Sequence, residues 1–103
     1  MIEILLQAIP NQSLSIQLDG RLYNLVIKEI NGLMALTLIR DGAVIQDGAR
    51  MMPNFPLIPY RYQESGNFIM ITSNGEYPYY TRFGVSQSLI FASQTELDII
   101  RGT

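Results

Sequence analysis

The chain has no cysteine and no histidine among its 103 residues. The first absence rules out a disulfide framework and thiolate chemistry. The second removes Ser-His and Cys-His nucleophile pairs, and the two together take away the usual zinc ligands. Charge is scarce as well: charged residues make up 16% of the chain, against roughly 25% in an average domain. So little charge implies either a surface partly covered by a partner or one rich in uncharged polar residues. The net charge is −2, and the cations Arg21, Lys28, Arg40, Arg50, Arg61, Arg82 and Arg101 are scattered. Displacing counterions from phosphates needs clustered cations, so no nucleic-acid partner is expected. Six of these seven cations are arginine, a bias shared with protein interfaces. Glu3 stands where a secretory leader needs positive charge. No apolar run approaches the ~20 residues of a membrane span. The expectation is a protein made in the cytoplasm, with no membrane partner. Asn11-Gln-Ser13 fits the glycosylation sequon, and without a leader it is read as chance.

Further absences bear on catalysis. The chain has no Asp/Asn/Gly array at calcium-loop spacing and no glycine-rich phosphate loop. Two carboxylate pairs remain, Asp41 with Asp47 and Glu96 with Asp98. The first lies beside a turn, where Asp commonly serves the backbone. The second sits on a short helix, where residues two apart face different directions. The expectation is a protein that is not an enzyme, with no catalytic residue, no metal site and no cofactor.

What is present reads as β structure. Asp19-Gly20, Asn31-Gly32 and Asp41-Gly42 are pairs that favour type I′ hairpins, because both positions need positive φ. Between them lie strand-like runs over 13–18, 21–30, 33–40 and 43–47. Leu14, Ile16 and Leu18 alternate onto one face of the first. Turns spaced about ten residues apart predict an antiparallel meander.

The stretch 48–59 carries Pro53, Pro56 and Pro59 and reads as an irregular connection. Met51, Met52, Phe55 and Leu57 are expected to tuck beneath it. Further extended runs cover 60–64 and 67–73, the latter apolar enough to be covered on both faces. Pro78 demotes 77–83 to an edge strand or loop, and 85–92 is the last strand. Ser93-Gln-Thr-Glu96 is a capping-box pattern that opens a helix over 95–101, with Gly102 at its end. The expected fold is a single mostly β domain over 1–103. It is a small antiparallel barrel or two-layer sandwich of about seven short strands, with a short C-terminal helix.

Eight of the ten aromatic residues fall between Phe55 and Phe83. Tyrosine combines apolar area with a hydroxyl and is enriched at interfaces. The candidate interface residues are Tyr60, Arg61, Tyr62, Tyr77, Pro78, Tyr79, Tyr80, Arg82 and Phe83. The competing reading is that some of these rings, Phe68 and Phe83 above all, build the core.

Leu57-Ile-Pro-Tyr-Arg-Tyr62, Gly66-Asn-Phe-Ile69, Tyr80-Thr-Arg-Phe-Gly-Val85 and Leu89-Ile-Phe-Ala-Ser93, in that order and spacing, resemble the small phage baseplate plug proteins. Ile9-Pro-Asn-Gln-Ser-Leu14, the hairpin with Gly32 and Asp41-Gly42, and the Thr95-Glu-Leu97 ending extend the resemblance over nearly the whole chain. It implies a structural component of a contractile tail, seated in the virion at the central hub of the baseplate and closing the end of the tube. Hub, spike, tube or wedge proteins would be its partners, in a three-fold arrangement. The resemblance brings no catalytic residues. Two other readings stand beside it. One is a carbohydrate- or ligand-binding β module with Tyr77-Pro-Tyr-Tyr80 as platform; the other is an OB-like single-strand binder, which the charge disfavours.

Overall fold

The computed structural model describes residues 1–102; Thr103, the last residue of the expected domain, lies outside the described residues. Seven strands and one helix follow in order. These are β1 (Ile2–Ile4), β2 (Gln12–Leu18), β3 (Arg21–Ile30), β4 (Leu33–Arg40), β5 (Ala43–Arg50), β6 (Asn67–Ile71), β7 (Ser88–Ala92) and α1 (Gln94–Arg101). They form a four-stranded sheet β2-β3-β4-β5 and a three-stranded sheet β1-β7-β6, both antiparallel. Of the two expected architectures the sandwich is the one observed, since the sheets are not closed into a barrel.

The meander follows its turn residues. Asp19 and Gly20, Asn31 and Gly32, and Asp41 and Gly42 all have positive φ, as two-residue I′ turns require. Strands β3 and β4 end where the turn pairs place them. Strand β5 runs on past the expected 47 to Arg50, through a break in its register with β4 between Leu36 and Leu38. There Gly48 takes φ 63°, and its N–H donates to Thr37 Oγ1 at 3.0 Å.

The alternation of each strand fixes what meets between the sheets. Tyr23, Leu25 and Ile27 of β3 and Met34, Leu36 and Leu38 of β4 point inward and are buried. Phe68 and Met70 of β6 and Leu89 and Phe91 of β7 oppose them, all buried. An aromatic triad joins the layers. Tyr23 lies 5.2 Å from Phe68 at an interplanar angle of 82°, and 5.6 Å from Phe91; the two phenylalanines are 5.2 Å apart. Edge-on and tilted pairs of this kind add about 0.5–1.5 kcal/mol each beyond area burial.

Several expectations are corrected in the second half. The run 60–64 is no strand: it holds a 3-10 turn, Arg61–Gln63. The seventh strand is instead β1, which has only three residues and pairs Ile2–Ile4 against β7. In the proline-rich connection Met51 and Leu57 are buried, but Met52 and Phe55 are exposed, and Pro53 and Ile58 fill the space instead. Pro53 and Pro56 bridge to Met70 and Ile69 along the free edge of β6. That strand is covered on one face more than the other, since Ile71 is exposed. The last strand begins at Ser88, after a turn over 82–87. α1 has the expected capping box, Ser93 with Glu96, and Gly102 in the left-handed conformation at its end.

Candidate functional site

The aromatic residues of the second half sit on two loops, and both loops are tied down by side chains from elsewhere. The first spans 60–66. Tyr60, extended just before the 3-10 turn, and Tyr62 within it flank Arg61, and their rings stack at 5.7 Å and 27°. Tyr62 is 83% exposed and Tyr60 55%. Beneath them, Arg40 Nη1 donates to the Gln63 carbonyl at 2.7 Å, and the Tyr23 hydroxyl donates to the Ser65 carbonyl at 2.7 Å. Burial raises the pKa of that Tyr23 hydroxyl, keeping it protonated as a donor.

Glu64 closes the loop onto α1. Arg101 meets its carboxylate with both terminal nitrogens, at 2.6 and 2.8 Å. Gln94 adds an Nε2 contact at 3.4 Å, and Asn67 Nδ2 donates as well. The guanidinium holds the Glu64 carboxyl below its ordinary range, against the opposing effect of burial. Gly66 sits at φ 87° flat on the Phe91 ring; a Cβ there would lie 2.4 Å from Phe91 Cζ. Only glycine combines that backbone with so close an approach.

The second loop spans 76–87, and its organiser is Gln87, which is 1% exposed. Gln87 Nε2 donates to Glu76 Oε1 and to the Tyr77 carbonyl, each at 3.0 Å, while its Oε1 accepts from the Tyr79 amide at 2.9 Å. One buried side chain thus replaces the ladder that Pro78 forbids. Arg82 Nε approaches Glu76 Oε1 at 3.2 Å. Pro78 and Phe83 are buried, and Phe83 belongs to the core cluster. Tyr79 and Tyr80 are half-buried against that cluster, their rings 4.7 Å apart. The Tyr79 hydroxyl donates to Glu29 at 3.1 Å; desolvation and the Glu29 carboxylate raise its pKa. Tyr77 is half-exposed with the Arg50 guanidinium 4.4 Å over its ring.

Of the nine residues singled out from the sequence, Tyr60, Arg61, Tyr62, Tyr77 and Arg82 present themselves to solvent. Tyr79 and Tyr80 are half in the core, and Pro78 and Phe83 are wholly inside. The two loops do not converge. One is anchored at Tyr23 and the other at Glu29. The anchors lie six positions apart along β3, about 20 Å at 3.3 Å per residue. The carboxylate pairs serve the scaffold. Asp41 accepts from the Leu22 amide and from Arg21, which together hold its pKa low. Glu96 is taken by the capping box and by the amino terminus, and Asp98 accepts from Gln94 at 3.1 Å.

Gln87, Glu64 and Arg101 escaped the sequence reading. Each is an ordinary polar residue in sequence, and its importance comes only from partners up to 37 positions away.

No curated protein matches the chain. A family model described as cyanophage baseplate Pam3 plug gp18 matches residues 1–94, a span that takes in all seven strands and both aromatic loops. The chain therefore belongs to that phage baseplate plug family.

Proposed function

We propose that this protein is a non-enzymatic plug at the central hub of a contractile-tail baseplate, held there by hub, spike or tube proteins in a three-fold arrangement. The family match over residues 1–94 carries this reading. It is a virion component of the tail, assembled in the host cytoplasm.

The aromatic loops supply the contacts. Tyr60, Arg61 and Tyr62 form one exposed group, and Tyr77 with Arg82 forms another. Rings held in place before binding lose little side-chain entropy on docking, and a buried Tyr anchor is worth ~2 kcal/mol or more on truncation. Pro78, Tyr79, Tyr80 and Phe83 act from behind, fixing the loop that presents Tyr77.

The test compares Tyr62→Ser and Tyr77→Ser with Phe83→Ala in assembled tails. The two surface variants should melt like the parent yet be recovered with tail particles in reduced amount. Phe83→Ala should instead lower stability. Normal recovery of both surface variants would move the contacts off these loops.

A further inference from the structure

We propose that the free edge of β2 is a docking edge, on which an extended segment of a neighbouring baseplate protein lies as a fifth strand of the meander sheet. The inference rests on the baseplate reading above and adds a surface that the aromatic loops do not touch.

Folded proteins blunt exposed strand edges with charge, proline, bulges or brevity, since an unblunted edge is a template for pairing. Three of the four edges here are blunted. β1 has three residues with Glu3 at its centre. The free side of β6 is occupied by Pro53 and Pro56. β5 is bulged and carries Asp47 and Arg50. β2 has none of these devices: seven residues, Gln12-Ser-Leu-Ser-Ile-Gln-Leu18, without charge or proline, pair in unbroken register with β3.

The groups left over can be named. The Leu22 amide donates to Asp41 Oδ1, and the Leu22 carbonyl accepts from the Asp41 amide. Both Leu22 groups therefore face β4, so Gln17, directly opposite on β2, is not bonded to it. Alternation along an antiparallel ladder then turns the N–H and C=O of Ser13, Ser15 and Gln17 outward. Among the described residues no backbone group reaches them.

These groups ask for a strand backbone, and the side chains around them describe its sequence. Leu14 and Ile16 are half-buried at the margin of the core, so alternate residues of the incoming strand are apolar. Its other face meets Ser13, Ser15 and Gln17 and is small or polar. Lys28 is exposed and makes no ion pair among the described residues. It lines a shallow cavity of about 250 Å³ with Asn11, Gln12, Ser13, Val26 and Ile27. An acidic residue of the incoming strand fits there. A second copy of this chain is the poorer occupant. One seven-residue strand pair is short of the ~1,200 Å² that stable interfaces bury, whereas a segment of a protein already docked nearby gains from its high local concentration.

Proline at position 15 separates the possibilities, because the Ser15 amide takes no part in the ladder to β3 and only the outward donor is lost. Hydrogen exchange over residues 12–18 is compared in the free chain and in purified tail particles, for the parent, Ser15→Pro and Ser15→Ala. The alanine variant controls for the 2.6 Å hydroxyl contact with Asn24. In particles the parent should protect three more amides than in the free chain. Ser15→Pro should fold but enter particles about tenfold less, the equivalent of one lost hydrogen bond of ~1.4 kcal/mol; Ser15→Ala should enter normally. Unchanged exchange in particles, or normal entry of Ser15→Pro, overturns the proposal. Concentration-dependent dimerisation of the free parent that proline abolishes also overturns it, in favour of a second copy. Should Ser15→Pro not fold, the parent's exchange alone decides. Absence of the chain from tail particles removes the baseplate reading itself, a result distinct from its presence with an unprotected edge.

Discussion

Between Gln12 and Arg50 each reversal of the chain is written in two adjacent residues, whereas between Met51 and Ser93, the Asn74-Gly75 turn apart, the loops are held by side chains that bond them from outside the turn. In the first region Asp-Gly and Asn-Gly pairs set register by local backbone preference, and the strands between them need only alternate. In the second, Arg40 and Tyr23 bond the backbone of the first aromatic loop, Arg101 bonds its Glu64 carboxylate, and the buried side chain of Gln87 bonds the backbone of the second loop. The meander is thus a scaffold specified locally, and the loops it supports are specified by the finished fold. An exposed aromatic on such a loop is positioned without making the loop itself a regular element.

The largest expected effect tests the joint between the two regions. Phe91 is 2% exposed and touches Tyr23 of the meander, Phe68 and the Gly66 backbone. Phe91→Ala should cost ~3–5 kcal/mol in urea unfolding, a large share of the 5–15 kcal/mol typical of a small domain. A loss below ~2 kcal/mol would mean the halves are joined elsewhere.

Next comes Gln87→Ala, which strips a buried partner from the Tyr79 amide and the Tyr77 carbonyl. Each unsatisfied buried group costs ~1–3 kcal/mol, and water entering the gap relieves part of it, so a total near ~2–3 kcal/mol is expected. The signature is regional: exchange at the Tyr79 amide should quicken while the β3 amides stay protected. Uniform loosening of both regions would erase the distinction between local and long-range control.

Gly42→Val probes the meander in return. Gly42 has φ 84° and nothing within 4 Å of an added Cβ, so the cost is purely conformational. A β-branched residue at that φ should destabilise by ~1–2 kcal/mol, read as a shift in denaturation midpoint. The parent midpoint retained in the variant would show that register is held by the strands instead of the turn.

The same contrast explains what the sequence discloses. The meander, the capping box at Ser93 and the two-layer β class are legible because each rests on neighbours within a few residues. β1 is not, since Ile2–Ile4 is too short to alternate and exists only because β7 offers an edge. Nor is the 3-10 turn at Arg61–Gln63: Tyr-Arg-Tyr has strand-like composition, but Arg40 captures the Gln63 carbonyl and turns the chain. At the candidate site composition finds the loops, while Phe83 and Pro78 show its limit. An aromatic or proline in a loop reads the same whether it faces solvent or core, and the burial of both is decided by how the turn over 82–87 folds back on Gln87.

The smallest effect concerns the clasp between the first aromatic loop and α1. Glu64 is nearly buried, with a side chain 2% exposed, while Arg101 retains 20%. Glu64→Gln keeps the shape and loses the charge, and Arg101 can swing into water, so the cost at neutral pH should resemble that of an exposed pair, ~1 kcal/mol or less. The pH dependence identifies it. Arg101 holds the folded Glu64 pKa below its ordinary 4.5. A carboxyl with a depressed folded pKa binds protons more readily unfolded, so its stabilisation is present above 4.5 and lost as pH falls through the folded value. The gap in stability between parent and Glu64→Gln should therefore be constant from pH 7 to about 5 and shrink below 4.5. Near pH 3, exchange of the α1 amides in the parent should approach that of the variant, with the β3 and β4 amides unaffected. A gap that persists unchanged to pH 3 would assign the clasp to the hydrogen bonds of Asn67 and Gln94, leaving the Arg101 charge without a part in holding the helix to the loop.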